Sequence, residues 1–256
     1  MVPLRDRVPG PWKDWLLRTF ADAEYHKKAL SHEPPEWGIE ACFQGLVDRG
    51  YAPRAVLDVG ASTGGWSIFA MQYWPKATYF LLEANEERRP ELEKLKRTAS
   101  NVNYLIAGAA DIDGQLPLGV RADDLNANSF AYPRQESRMV EVVRIDRLLR
   151  EGRFAPPQFL KIDVQGFERN VLEGAHATIQ HCDFVLLELN LIHFAPGMML
   201  LHEGTHWMNE HGMVAYEIVD ALRRPLDGAM AQCDVLFVRW DHPIRQSYKW
   251  SAPPAG

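Results

Sequence analysis

Cysteine is scarce in this chain, with three in 256 residues. Cys42, Cys182 and Cys233 stand far apart and form no C-x-x-C pair. That spacing excludes a disulfide framework and a cysteine-rich zinc site, and it predicts buried, reduced thiols. A basic surplus is also missing, since 28 Lys+Arg face 34 Asp+Glu for a net charge of -6. A protein built to neutralise phosphates carries the opposite balance, so no nucleic-acid partner is expected. No apolar run reaches the roughly 18 residues that a membrane-spanning helix needs. The richest stretch, 184–201, is interrupted by Glu188, Asn190, His193 and Pro196. The segment from Met1 to Asp6 lacks the apolar core of a signal peptide. Together these absences predict a cytoplasmic protein without membrane insertion. Repeats and low-complexity tracts are absent too, and 46% hydrophobic with 24% charged residues is the balance of a globular fold.

What is present divides the chain near residue 54. Residues 1–54 read as a helical cap: Trp12, Trp15, Leu16, Thr19 and Phe20 recur at helical spacing, and Trp37, Ala41, Phe43, Leu46 and Val47 mark a second helix ending at Gly50. Trp12 and Trp15 suit core or dimer packing, which makes a second copy of the chain a candidate partner. From residue 55 short apolar runs at 55–59, 78–83, 102–107, 159–163, 184–189, 214–219 and 235–240 alternate with amphipathic stretches at 64–74, 86–99, 167–180 and 199–210. Between them, Gly114, Pro117, Gly119 and Pro133 give 112–146 the character of a hairpin-like insertion closed by a strand at 140–145. This alternation predicts an α/β domain over 55–240, a mostly parallel sheet with helices on both faces. A loose tail is expected at 241–256, which ends in Pro253-Pro254-Ala255-Gly256.

The first apolar run leads directly into Asp58-Val59-Gly60-Ala61-Ser62-Thr63-Gly64-Gly65-Trp66. A glycine-rich turn between strand and helix lets the backbone approach a ligand at the carboxyl edge of a parallel sheet. At the end of the next run stands Glu83, placed to accept both hydroxyls of an adenosine ribose. The pair points to a nucleoside-containing cofactor. Glycines at 60, 64 and 65 miss the second glycine of G-x-G-x-x-G, so the dinucleotide fingerprint fails. An acid two residues before the first glycine, Asp58, is instead the habit of S-adenosylmethionine enzymes.

Val56-Leu57-Asp58-Val59-Gly60-Ala61, Glu83-Ala84-Asn85, the run Leu160-Lys161-Ile162-Asp163-Val164-Gln165-Gly166-Phe167-Glu168, Val171-Leu172-Glu173-Gly174-Ala175, and 232–239 carry a resemblance. Over about residues 53–240 the chain resembles the FkbM-type S-adenosylmethionine-dependent methyltransferases. The resemblance implies a class I methyltransferase (Rossmann-like) seven-stranded sheet with its last strand antiparallel. It also implies methylation of a hydroxyl on a sugar, glycolipid or natural-product acceptor. Residue by residue, Gly60, Ser62 and Gly64, with Asp58, Thr63 and Ala84 alongside, would hold the methionine and ribose of S-adenosyl-L-methionine. Glu83 would take the ribose diol, and Ala110-Asp111 would lie by the adenine. Asp163 would sit between cofactor and acceptor. Gln165 stands where many members have an acid, and no metal site is expected.

A hydroxyl nucleophile benefits from a positioned base. The candidates are Asp163 first, then Glu188 within the fifth apolar run of the α/β region and His193 just after it. Three other readings compete. Gly60-Ala61-Ser62-Thr63-Gly64 also fits the G-x-S-x-G nucleophile elbow, with Ser62, Asp163 and His193 as a hydrolase triad, but no strand precedes it to supply an oxyanion hole. His202-Glu203-Gly204-Thr205-His206 matches the zinc-hydrolase pattern H-E-x-x-H, with Gly204 weakening the helix it needs. The third reading is a non-catalytic nucleoside-binding subunit.

Overall fold

A computed structural model describes residues 37–120, 128–131, 137–195 and 197–247 of the chain. Trp12 and Trp15, and the tail from 248 onward, lie outside the described residues. Apolar runs bounded by turn residues form the strands β1 (Ala55–Val59), β2 (Thr78–Glu83), β3 (Val102–Ile106), β4 (Gly108–Ala109), β5 (Gly114–Gly119), β6 (Ser137–Val143), β7 (Phe159–Ile162), β8 (Phe184–Asn190), β9 (Met213–Arg223) and β10 (Met230–Arg239). Seven of them make one sheet in the order β3-β2-β1-β7-β8-β10-β9. Neighbours from β3 to β8 are parallel, while β10 runs antiparallel to both β8 and β9. This is the mostly parallel, Rossmann-like class I methyltransferase architecture, with the late strand reversed. Among the described residues, no helix is long and apolar enough to cross a membrane.

The central strands are uninterrupted apolar runs because both of their faces are covered. Alternate residues feed two cores. Val56, Tyr79, Leu81, Phe159, Phe184 and Leu236 pack under the helices α1 (Ile39–Asp48), α2 (Gly65–Ala70) and α3 (Arg89–Thr98). Leu57, Leu160, Leu187, Val235 and Phe237 face α4 (Ile145–Arg150), α5 (Glu168–Glu173), α6 (His176–Ile179) and α7 (Leu201–Glu210). Phe43 of α1 is fully buried, its ring centroid 4.6 Å from that of Trp74 and 5.6 Å from that of Phe159. The described part of the N-terminal region is therefore a layer of the sheet's own core. Cys42, Cys182 and Cys233 are free and buried.

Three departures from the expected elements alter the architecture. The run at 140–145 does not stay extended: β6 ends at Val143 and Ile145 opens α4, where the Asp146 carboxylate accepts from the backbone N–H of Ala177 and Thr178. The single helix expected at 167–180 is two, α5 and α6, separated at Gly174 and Ala175. A Cβ on Gly174 would fall 1.9 Å from the Ala110 carbonyl oxygen, so the chain breaks where two backbones touch. The insertion forms a second sheet, β4-β6-β5, with the β5–β6 pair antiparallel.

Candidate active site

β1 and β2 end side by side, and a cavity of about 350 Å³ opens at their carboxyl edge. Gly60, Ser62, Thr63, Glu83, Ala84 and Asp163 all line it, so the structure gathers most of the expected cofactor residues. That volume lies in the range of small-ligand sites. Gly60 has φ +76, and a Cβ there would lie 1.8 Å from the Asp163 carbonyl oxygen, so only glycine lets the two strand ends meet. Ser62, with φ 49, is held in the left-handed region by its N–H, which donates to Glu83 Oε2 at 2.6 Å. Glu83 Oε1 accepts from the Asn85 backbone at 2.8 Å and from its side-chain amide at 2.7 Å. Three donors take three of the roughly four acceptor positions of the carboxylate, and Oε2, with a single donor, keeps one for a ligand in the cavity that Glu83 lines.

Four expected residues sit elsewhere. Asp58 is fully buried beneath the cavity, where its Oδ2 accepts from the Ser67 hydroxyl at 2.6 Å and its Oδ1 lies 3.3 Å from the Lys161 ammonium. Gly64 caps α2 at φ +82, with Leu95 so close behind it that a Cβ would clash at 2.5 Å. Ala110 is buried against Gly174, and Asp111 accepts from the Asn170 amide at 3.1 Å, so neither lines the cavity. The chain has by then turned into β4, and Asn128, Ser129 and Phe130 of the insertion line the cavity beside Gly108.

At the end of β7, Asp163 lines the cavity with its side chain 39% exposed. Gln165, at φ 56, donates through Nε2 to Asp163 Oδ1 at 2.9 Å and to Glu188 Oε2 at 3.3 Å, joining the two carboxylates. Burial raises the Glu188 carboxyl well above the ordinary carboxylate range, and Asp163, Glu168 and Asp234 push it further against the pull of Lys161. Glu168 is buried without exposure and is pushed up to about 7 by that burial. Its Oε1 accepts from Gly166 N–H at 2.9 Å, which fixes the turn that carries Gln165. His193 lies in the turn after β8 and does not line the cavity.

The sequence alone does not single out Lys161, Gln165 or Asp234 as site residues. Lys161 had a readable signal: a lysine inside a buried apolar strand needs a partner. It is the cross-strand neighbour of Asp58, donates to the Gly60 carbonyl at 2.9 Å and lies 3.5 Å from Asp163 Oδ2. Burial would lower its pKa, but Asp58 and Asp163 outweigh that and hold it above the usual lysine value.

The competing motifs lack their machinery. No histidine is among the described residues lining the Ser62 cavity. His202 and His206 are exposed on α7, and Glu203 between them accepts from Leu200 N–H at 2.8 Å as the helix cap. Gly204 does not prevent that helix; it packs against Leu189, whose side chain would have to shift to admit a Cβ that falls 2.4 Å from it. Among the described residues, no group of three or more His, Cys, Asp or Glu is arranged to hold a metal.

Comparison with known proteins places the site in context. Residues 58–214 match the family described as Methyltransferase FkbM domain. The chain is similar to the hexuronic acid methyltransferase AglP of Haloferax volcanii, 25% identical over 147 residues, which is 57% of this chain and 59% of that protein. Among solved structures it is similar to a methyltransferase FkbM from Methylobacillus flagellatus, at 16% identity and a TM-score of 0.49, covering 86% of this chain and 52% of that one. Another is the Aeropyrum pernix fibrillarin in complex with natively bound S-adenosyl-L-methionine, at 12% identity and a TM-score of 0.43, covering 71% of this chain and 66% of that one. The chain thus spans between about half and two thirds of the length of these relatives.

Proposed function

The chain belongs to the methyltransferase FkbM domain family, and from that premise we propose an S-adenosylmethionine-dependent O-methyltransferase acting on a hydroxyl of a small, sugar-like acceptor. One observation carries the cofactor assignment: Glu83 ends β2 at the cavity with its carboxylate fixed by Ser62 and Asn85. A ribose diol needs such a pair of fixed acceptors, and the close approach of the Gly60 backbone leaves room for a ligand beside it. A relative named for a hexuronic acid supports a sugar-like acceptor. S-adenosylmethionine, when bound, supplies a methyl group activated by a positively charged sulfur.

The chain's own residues supply alignment and proton transfer. Lys161 ties Asp58, Gly60 and Asp163 together, so cofactor edge and acceptor edge are held in one frame. In-line transfer depends on that alignment. Asp163 and Glu188, bridged by Gln165, stand ready to accept the hydroxyl proton. The raised Glu188 is the stronger base of an ordinary carboxyl and works once deprotonated. Calorimetry tests the reading: S-adenosylmethionine and S-adenosylhomocysteine should bind the wild-type chain, and Glu83→Ala should weaken both by roughly tenfold to a hundredfold, the worth of hydrogen bonds to a charged group. Absence of binding by the wild-type chain would remove the proposal.

A further inference from the structure

Past the cofactor cavity, β8, β10 and β9 present a second polar surface. Glu188 of β8 is the cross-strand partner of Asp234 of β10, which in turn opposes Asp220 of β9. Opposed residues share a face with their Cβ atoms about 5 Å apart, so three acids from three strands meet there. Glu188 and Asp234 are only partly covered, and Asp220 is exposed. The other charged groups that bear on this pair are Asp163 and Lys161 from β7 and its following turn, and Glu168 from α5. Burial, Asp163 and Asp220 push Asp234 up to about 7, against Lys161, and Glu188 is raised by its own burial and neighbours. Like charges this close retain a proton, which leaves a carboxyl O–H donor beside carboxylate acceptors.

A second observation, independent of the acids, points to a ligand. Asn190 is two residues beyond Glu188 on β8, and strand alternation sends both side chains to one face. It is fully buried, yet neither its Oδ1 nor its Nδ2 has a hydrogen-bond partner among the described residues. Native structures rarely leave a buried amide wholly unpaired, because the desolvation is not recovered.

We propose that Glu188, Asn190 and Asp234 form an acceptor subsite that takes an uncharged polyhydroxyl ring and rejects a carboxylate-bearing one. This rests on the methyl-transfer reading above. A shared carboxyl proton and a buried amide offer donors and acceptors to ring hydroxyls. A ring carboxylate would add another negative charge to a group that already holds its protons against repulsion. Charge opposition of this kind sets specificity. The subsite therefore separates this chain from its similar protein that is named for hexuronic acid.

The test uses the full chain saturated with S-adenosylhomocysteine and a panel of methyl hexosides, each matched with its methyl hexuronide, with binding read by ligand-detected NMR. Each bound hexoside should exceed its paired hexuronide in affinity by roughly tenfold or more at about pH 7.5. Asp234→Asn, which keeps the side chain's shape, should narrow that ratio roughly threefold or more, and Asn190→Leu should weaken hexoside binding. Hexuronides that bind as well as hexosides, binding by neither class, or an unchanged ratio in Asp234→Asn would overturn the subsite. A chain that fails to bind S-adenosylhomocysteine overturns the methyl-transfer reading instead. In that case ¹³C carboxyl NMR decides the subsite: coupled titration of Glu188 and Asp234, with Glu188 lowered in Asp234→Asn, upholds it, and independent titration in the ordinary carboxylate range overturns it.

Discussion

Replacing Lys161 with methionine removes one charge and little volume, and the consequence falls on Asp58. That carboxylate has no exposure, and its Oδ1 faces only the ammonium at 3.3 Å, while Oδ2 keeps the Ser67 hydroxyl. At an effective dielectric constant near 20, opposite charges at that separation attract by about 5 kcal/mol. Removing the lysine also removes the cost of burying it, so the net loss is smaller. Breaking a buried pair from one side costs about 3–5 kcal/mol, because the remaining charge stays buried and unpaired. The second contact adds less, since the Asp163 side chain is 39% exposed and screened by solvent. For a chain of this size about 2–4 °C is lost per kcal/mol, so Lys161→Met should lower Tm by about 6–20 °C. Differential scanning fluorimetry of the wild-type chain, both single variants and the double variant with Asp58→Asn measures this. The double variant should recover about 1–3 kcal/mol relative to the sum of the singles. A Lys161→Met Tm within about 2 °C of wild type, or strictly additive losses, would refute the reasoning.

Glu188→Gln should cut kcat by about 10²–10⁴, the usual worth of a positioned base, and abolish the acid limb of the pH–rate profile. In the wild type that limb, measured by mass detection of methylated product, should lie above the ordinary carboxylate range, with the rate rising as pH rises. Glu168 sets a stability slope. Its folded value of about 7 exceeds its ordinary 4.5, so folding favours the protonated acid, and roughly 3 kcal/mol is lost as pH rises through that window. Urea titrations from acid to neutral pH should show this fall, and Glu168→Gln should flatten it. Gly60→Ala should abolish S-adenosylmethionine binding in calorimetry and destabilise the fold by more than about 1–3 kcal/mol, because its Cβ has no space beside the Asp163 carbonyl. His206→Ala should leave the unfolding free energy unchanged within about 0.5 kcal/mol, and metal analysis should find no stoichiometric zinc in either chain.

The sequence reading succeeded where physics is local. Buried parallel strands are short apolar runs between turn residues, so β1 and β2 were found at their observed bounds. The acid ending β2 and the glycines after β1 point to the edge of the sheet where the cavity lies. It failed where a distant contact decides. Nothing near Gly174 announces that the Ala110 carbonyl lies against it, and so the helix was drawn through the break. The resemblance puts Ala110 and Asp111, after the third strand, by the adenine, whereas it is Asn128 to Phe130 that reach the cavity, through the folding of the insertion. Asp234 became visible only when the reversed β10 set it opposite Glu188. Gly204 looked like a helix defect in isolation, yet it makes room for Leu189.

The position of β10 also dictates an order of events. It is the last strand among the described residues, yet it lies between β8 and β9 and carries the whole connection between them. During synthesis β9 leaves the ribosome before β10, the strand with which it pairs. Until β10 follows, the row of backbone amides and carbonyls along this edge of β8 has no neighbour, and Glu188 and Asp234 have not yet met. The sheet is thus completed by insertion rather than by addition at its rim. A nascent chain stalled before Met230 would present an open strand edge, the state in which pairing with another chain competes with folding.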